Sequence, residues 1–193
     1  LIAKLNYSNS VSSLGDFYNG NFTEAVLGYA YRPVENNNLN VLFKYSYFYN
    51  LPAKDQVTIN NTASEYIQKS NILSFDFTYD LSQSWSLGGK LARRFGQLSL
   101  DRVNPVFFDS TANLYIVRAD WHITHRWDAT LEGRTLSIPE AGDTRSGTLF
   151  ALYRHFGQKV KMGLGYNFTD FSDDLTDLDY DSHGLFINFV AKM

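Results

Sequence analysis

Two groups of side chains in this sequence have types and spacing that could support chemistry. Asp120 and His122 are two residues apart, so a β-strand would place this carboxylate and imidazole on one face as an acid–base pair. Asp177, Asp179 and Asp181 repeat at alternate positions, as do the first oxygen ligands of a calcium-binding loop. The glycine and the glutamate that complete such a loop are absent. We therefore expect no cofactor and a solvated acidic loop, with a Ca²⁺ site at these three aspartates as the alternative.

The elements that must position these residues are indicated by a regular alternation of apolar and polar side chains. Between residues 160 and 169 every second residue is apolar, which is typical of a β-strand with one apolar face. The same pattern recurs along the whole chain. It predicts ten strands, at residues 1–7, 22–31, 39–49, 66–79, 85–95, 112–121, 127–136, 147–156, 159–169 and 184–192.

The connections between these strands are alternately long and short, and aromatic residues gather at the strand ends. The chain contains 13 Tyr, 15 Phe and 3 Trp, and Tyr and Trp are favoured where hydrocarbon meets lipid headgroups. This combination predicts an all-β fold, an antiparallel transmembrane β-barrel in the outer membrane of a Gram-negative bacterium. Long loops would then face outside and short turns the periplasm.

The predicted barrel is a single domain over residues 1–193 with about ten strands. Because the sequence begins inside a predicted strand, we expect it to be the C-terminal portion of a longer precursor, with a larger barrel as the alternative. The net charge of −3 gives no reason to expect nucleic-acid binding.

The two faces of the predicted strands differ in charge. Arg or Lys at the bilayer midplane costs about 2–4 kcal/mol, so the face that collects charges is expected to line the lumen. The predicted lumen-lining residues are Lys44, Asp76, Lys90, Arg94, Arg118, Asp120, Glu132, Arg134, Arg154 and Lys161. The eighth strand carries apolar residues on both faces; we assign Leu149, Ala151, Tyr153 and His155 to the outside, with a β-bulge as the alternative.

Three tryptophans beside the short turns are expected to form a periplasmic aromatic girdle. They are Trp85, Trp121 and Trp127, all on the outward face. If this placement holds, the partners of the barrel are outer-membrane lipid and lipopolysaccharide.

Several stretches resemble the C-terminal barrel region of large proteobacterial cell-surface proteins, which often carry repeat-rich regions before the barrel. The resemblance rests on residues 25–33, 165–181 and 184–188, and the acidic stretch is its most specific part. It implies an outer-membrane anchor with upstream domains of the same chain and no established activity. Many outer-membrane barrels end in Phe, which the barrel assembly machinery recognises, whereas this sequence ends in Met193.

Three non-enzymatic functions remain open at this point. We favour a membrane anchor or structural component of a cell-surface protein. A porin-like channel for small solutes with a mildly basic lumen is the alternative, and a soluble binding barrel would need its apolar face inside.

An outer-membrane protease or lipid hydrolase is the remaining enzymatic alternative, because some barrels of this kind have those activities. Asp120 and His122 are predicted at a periplasmic turn, whereas sites of the omptin type lie near the extracellular rim. The favoured interpretation is a hydrogen bond or ion pair in the lumen, so we assign no catalytic residue and expect no enzyme.

Overall fold

The computed structural model describes residues 1–13, 19–34, 37–51, 67–102, 104–157, 159–171, 173, 175 and 183–191. Within them the ten predicted strands are confirmed. They are β1 (Ile2–Ser10), β2 (Gly20–Tyr31), β3 (Leu39–Leu51), β4 (Ile67–Asp80), β5 (Trp85–Ser99), β6 (Phe108–Thr124), β7 (Trp127–Ile138), β8 (Asp143–Phe156), β9 (Val160–Asn167) and β10 (Gly184–Ala191).

All ten strands form one antiparallel sheet in which each strand pairs with its neighbours in sequence. The predicted all-β antiparallel fold is therefore confirmed. In the described part of the chain β1 pairs only with β2 and β10 only with β9, so the sheet is not closed. No helix among the described residues is long and apolar enough to cross a membrane.

The connection between β7 and β8 is much shorter than predicted. Both strands continue until Ile138 and Asp143 pair, and a single turn of 3-10 helix, Pro139–Ala141, joins them. Gly142 follows with φ of 61°, a left-handed conformation that glycine adopts without steric cost. Pro139 lacks the backbone N–H that would continue the ladder, which explains why the strand ends there.

The register of the ladders gives the sheet two distinct faces, because directly paired residues point to the same side. On the apolar face, large side chains such as Leu73, Tyr115 and Val117 are exposed. On the opposite, polar face, Asp76 pairs with Lys90. Apart from Arg154, the predicted lumen-lining residues all share this polar face.

Strand β8 is where the predicted faces are wrong. Arg154 pairs with Trp127 and Phe150 pairs with Leu131, so the arginine lies on the apolar face. Leu149, Ala151, Tyr153 and His155 correspondingly lie on the polar face. Apolar residues occupy both faces of β8, so its sequence does not decide which face is outward. The short connection to β7 sets the register instead. A shift of that register by one residue exchanges the two faces.

The hydrophobic core lies on the half of the polar face that is nearer the long connections, which follow β1, β3, β5 and β9. It consists of strand residues together with two residues from the connection between β9 and β10, Phe171 and Leu175, whose exposed fractions are 0% and 1%. The strand residues are Ile72, Ala92, Ala112, Leu114, Ile116 and Leu136. We call Thr169, Phe171, Asp173 and Leu175 the inward segment.

Candidate functional site

A cavity of about 780 Å³ occupies the other half of the polar face, near the short connections. Strands β6 to β9 provide most of its charged lining. One end of the cavity is bounded by Asp173 of the inward segment. It contains the largest group of interacting titratable side chains among the described residues, so we treat it as the candidate functional site.

Asp128 is the centre of this group. Its carboxylate is 2.9 Å from His122 Nδ1 and 2.7 Å from His155 Nε2, and it accepts a 2.6 Å hydrogen bond from Lys161 Nζ. The register explains the cluster, since Asp128 pairs with His122 across β6 and β7 while His155 pairs with Lys161 across β8 and β9. Asp128 is only 5% exposed, so its charge is compensated by three donors instead of water.

Tyr153 completes the wall beside Asp128. It pairs with Asp128 on one side and with Gly163 on the other, and Lys161 Nζ lies 4.5 Å from the centroid of its ring. A Cβ on Gly163 would clash with the tyrosine ring. Glycine is therefore required here so that the ring can lie against the backbone of β9.

Further ion pairs extend from Asp128 towards the inward segment. Arg118 Nε is 3.0 Å from Asp120, which also accepts a 2.6 Å hydrogen bond from Thr130 Oγ1. Glu132 and Arg134 form the next ion pair on β7. Asp120, Asp128 and Glu132 each lie within about 3 Å of a cation, so these charges largely compensate one another.

Two basic residues of β5 hold the inward segment in place. Lys90 Nζ donates a 2.5 Å hydrogen bond to the carbonyl oxygen of Asp173, and Arg94 Nη1 donates a 3.4 Å one to that of Leu175. Thr169, which is fully buried, lies over Gly147 of β8. These contacts fix backbone of the β9–β10 connection against the middle of the sheet.

The structure does not place Asp120 and His122 in a hydrogen-bonded pair, because His122 binds Asp128 instead. Two hydroxyl groups of the cavity contact carboxylates: Thr130 binds Asp120, and Ser86 binds Asp80 at 2.7 Å. The carboxylate of Asp128 orients the imidazoles of His122 and His155. No hydroxyl group of the described residues is hydrogen-bonded to either imidazole.

The three predicted girdle tryptophans lie at the short-connection end of the apolar face. Trp85 and Trp121 pair directly and stack, with ring centroids 5.4 Å apart and planes at 6°. Trp127 follows the next turn and carries the guanidinium of Arg154 at 5.4 Å from its ring centroid.

The acidic residues proposed as Ca²⁺ ligands, Asp177, Asp179 and Asp181, lie outside the described residues. Within the described ranges, no group of three or more His, Cys, Asp or Glu side chains is arranged to hold a metal ion.

Sequence reasoning missed Asp128, His155 and the two buried residues of the inward segment. Asp128 is four residues before Glu132 in the same strand, so the alternation places both on the polar face. His155 was missed because the parity of β8 was assigned the wrong way. Phe171 and Leu175 lie in an acidic connection, and no local pattern predicts their burial.

Comparison with known proteins yields no relative: no protein-family model, curated protein or solved structure matches this chain.

Proposed function

We propose that this chain is an outer-membrane β-barrel that anchors a cell-surface protein, with a structural and not a catalytic role. The observation that carries the proposal is the burial of Phe171 and Leu175 on the polar face of the sheet. A connection that fills the inside of a barrel favours an anchor over an open channel. The surface activity then belongs to a part of the protein outside this sequence.

Membrane insertion is supported by the contrast between the two faces. The apolar face exposes Leu27, Leu73, Val117 and Leu131, each to more than half of its surface, which would be unfavourable in water. Lipid would cover these side chains, and the tryptophans at one end would lie at the headgroup level. The clustered charges of Asp128 and its partners are on the opposite face and would avoid lipid.

The free edges of the sheet supply the first test. Unpaired backbone groups cost several kcal/mol each in hydrocarbon, so β1 and β10 must pair in a membrane. We propose that they pair with each other, since ten antiparallel strands place them antiparallel too. The sequence has no cysteine, so any disulfide that forms must join introduced cysteines.

Leu5→Cys should be combined in turn with Leu185→Cys, Ile187→Cys and Phe189→Cys, all on the apolar face, in protein refolded into lipid vesicles. An intramolecular disulfide in one pair is the expected result. A disulfide between two chains would show a dimer, and no disulfide in any pair would favour additional strands between β1 and β10. Leu5→Cys with Leu73→Cys serves as the control, because β4 lies far from both edges in the sheet order.

Single-channel recording in planar bilayers tests whether the inward segment blocks the passage of ions. We expect the inserted wild type to be silent and the double variant Lys90→Met, Arg94→Met to show channel openings, because it loses both donors to the inward segment. Lys44→Met is the matched control, since Lys44 shares the polar face and contacts no described residue of that segment. Steady conductance by the wild type would contradict the anchor and favour the porin.

The porin-like channel is kept as the second candidate because of the cavity of about 780 Å³. In that case the cavity would be part of a passage whose wall includes Arg118 and Lys161 with their paired carboxylates. Steady openings of the wild type in the same recordings distinguish the porin from the anchor, which is expected to be silent.

A further inference from the structure

Arg154 differs from the other predicted lumen-lining residues because it lies on the apolar face. Its guanidinium is 5.4 Å from the ring centroid of Trp127 and 5.1 Å from that of Phe156. The side chain is exposed, and no carboxylate of the described residues forms an ion pair with it. The two aromatic rings therefore orient an arginine whose charge has no anionic partner in this part of the chain.

A second exposed arginine lies in the neighbouring turn, opposite His155 of the polar face. Arg126, in the turn between β6 and β7, accepts a 2.8 Å hydrogen bond from the backbone N–H of His155 through its carbonyl oxygen. Its side chain is also exposed and is without an ion-pair partner among the described residues. Asp128, the nearest carboxylate in sequence, points to the polar face and is already bound by three donors. The apolar face at this end thus carries Arg154 and three tryptophans.

We propose that Arg154, with Trp127, binds the phosphate of an anionic phospholipid headgroup at the short-connection end of the barrel. A charged residue on the lipid-facing surface is tolerated at about 0–1 kcal/mol near the interface but costs more at the midplane. Arginine offers parallel N–H donors that match phosphate oxygens, and the indole ring is favoured at the same depth. The inference rests on the proposed membrane insertion and adds a specific lipid contact to it.

The three tryptophans of the sequence all lie at this end, so their fluorescence reports on the lipid there. The protein is refolded into phosphatidylcholine vesicles that contain increasing fractions of brominated phosphatidylglycerol or of brominated phosphatidylcholine. The ratio of quenching by the two lipids gives their relative binding constant. The wild type should prefer phosphatidylglycerol, and Arg154→Gln should lower this preference by about fivefold, as expected for one cation at an anionic surface.

Arg93→Gln is the matched control. Arg93 is also on the apolar face and its guanidinium lies 4.9 Å from the ring centroid of Phe95, but it is near the long connections. A side-chain hydrogen bond with Thr111 lowers the pKa of Glu140, and the positive charge of Arg93 contributes to the same shift. Arg93 therefore already has an anion nearby, and its removal should leave the lipid preference unchanged.

The possible outcomes separate this inference from the proposed function. If brominated phosphatidylcholine also fails to quench, the protein has not inserted and the membrane proposal is wrong. If both lipids quench and Arg154→Gln retains the wild-type preference, the lipid site is wrong while the barrel stands.

Discussion

The two halves of the polar face are built in different ways. Near the long connections, six apolar strand residues are covered by Phe171 and Leu175, and we call this the closed half. Near the short connections, Asp128 and its partners line a cavity of about 780 Å³, and we call this the open half. The alternation of the strands is the same in both halves, so the difference comes from which side chains share the face and from whether a connection covers them.

This comparison indicates that a polar face does not by itself imply a continuous channel. In the closed half, apolar burial and two hydrogen bonds from β5 hold backbone against the sheet. In the open half, ion pairs stabilise the wall, and such pairs contribute little where water reaches them. We therefore expect the closed half to dominate stability.

The largest expected effect is that of Phe171→Ala. Phe171 is fully buried, so its truncation removes apolar burial and leaves a cavity, which should lower the free energy of unfolding by about 3–5 kcal/mol. Urea unfolding of the refolded protein measures the change. Leu100→Ala, at a site that is 67% exposed, should change it by less than about 0.5 kcal/mol. Equal effects of the two variants would show that Phe171 is not buried.

In the open half, Asp128→Asn should have a smaller effect. It removes the charge that faces Lys161 and the two histidines, and we expect a loss of about 2 kcal/mol because Asp128 is buried while its partners are partly exposed. Asp143→Asn, in an ion pair whose members are both more than a third exposed, should cost less than about 1 kcal/mol. A larger loss from Asp128→Asn than from Phe171→Ala would reverse the comparison.

Two strand glycines distinguish the covered part of the sheet from its free surface. A Cβ on Gly147 would lie 2.9 Å from Thr169 Cα and 3.0 Å from the carbonyl oxygen of Phe168, so Gly147→Ala must displace backbone. We expect it to cost about 1–3 kcal/mol and to increase protease access to the β9–β10 connection. Gly133→Ala meets no atom within 4 Å and should be neutral or slightly stabilising. Identical proteolysis of both variants would argue against a docked connection.

Much of the fold could be predicted from the sequence because the strands have period-two patterns. In β9, Lys161 and Gly163 alternate with Met162 and Leu164, so both the strand and its faces follow from local chemistry. In β8 the pattern fits two registers, and only pairing with β7 decides between them. The burial of Phe171 depends on residues of β4 to β7, which local sequence does not reveal.

The hydrogen bond from Lys90 to Asp173 joins residues 83 positions apart, and Arg94 and Leu175 are separated by 81. Contacts between such distant residues require a large loss of chain entropy before they form. The inward segment also lies between β9 and β10 in the chain, so the interior is filled by the last part of the sheet to be added. We therefore expect β1 to β9 to assemble first as an open trough, and docking of the segment to accompany the addition of β10 as the slow final step of folding.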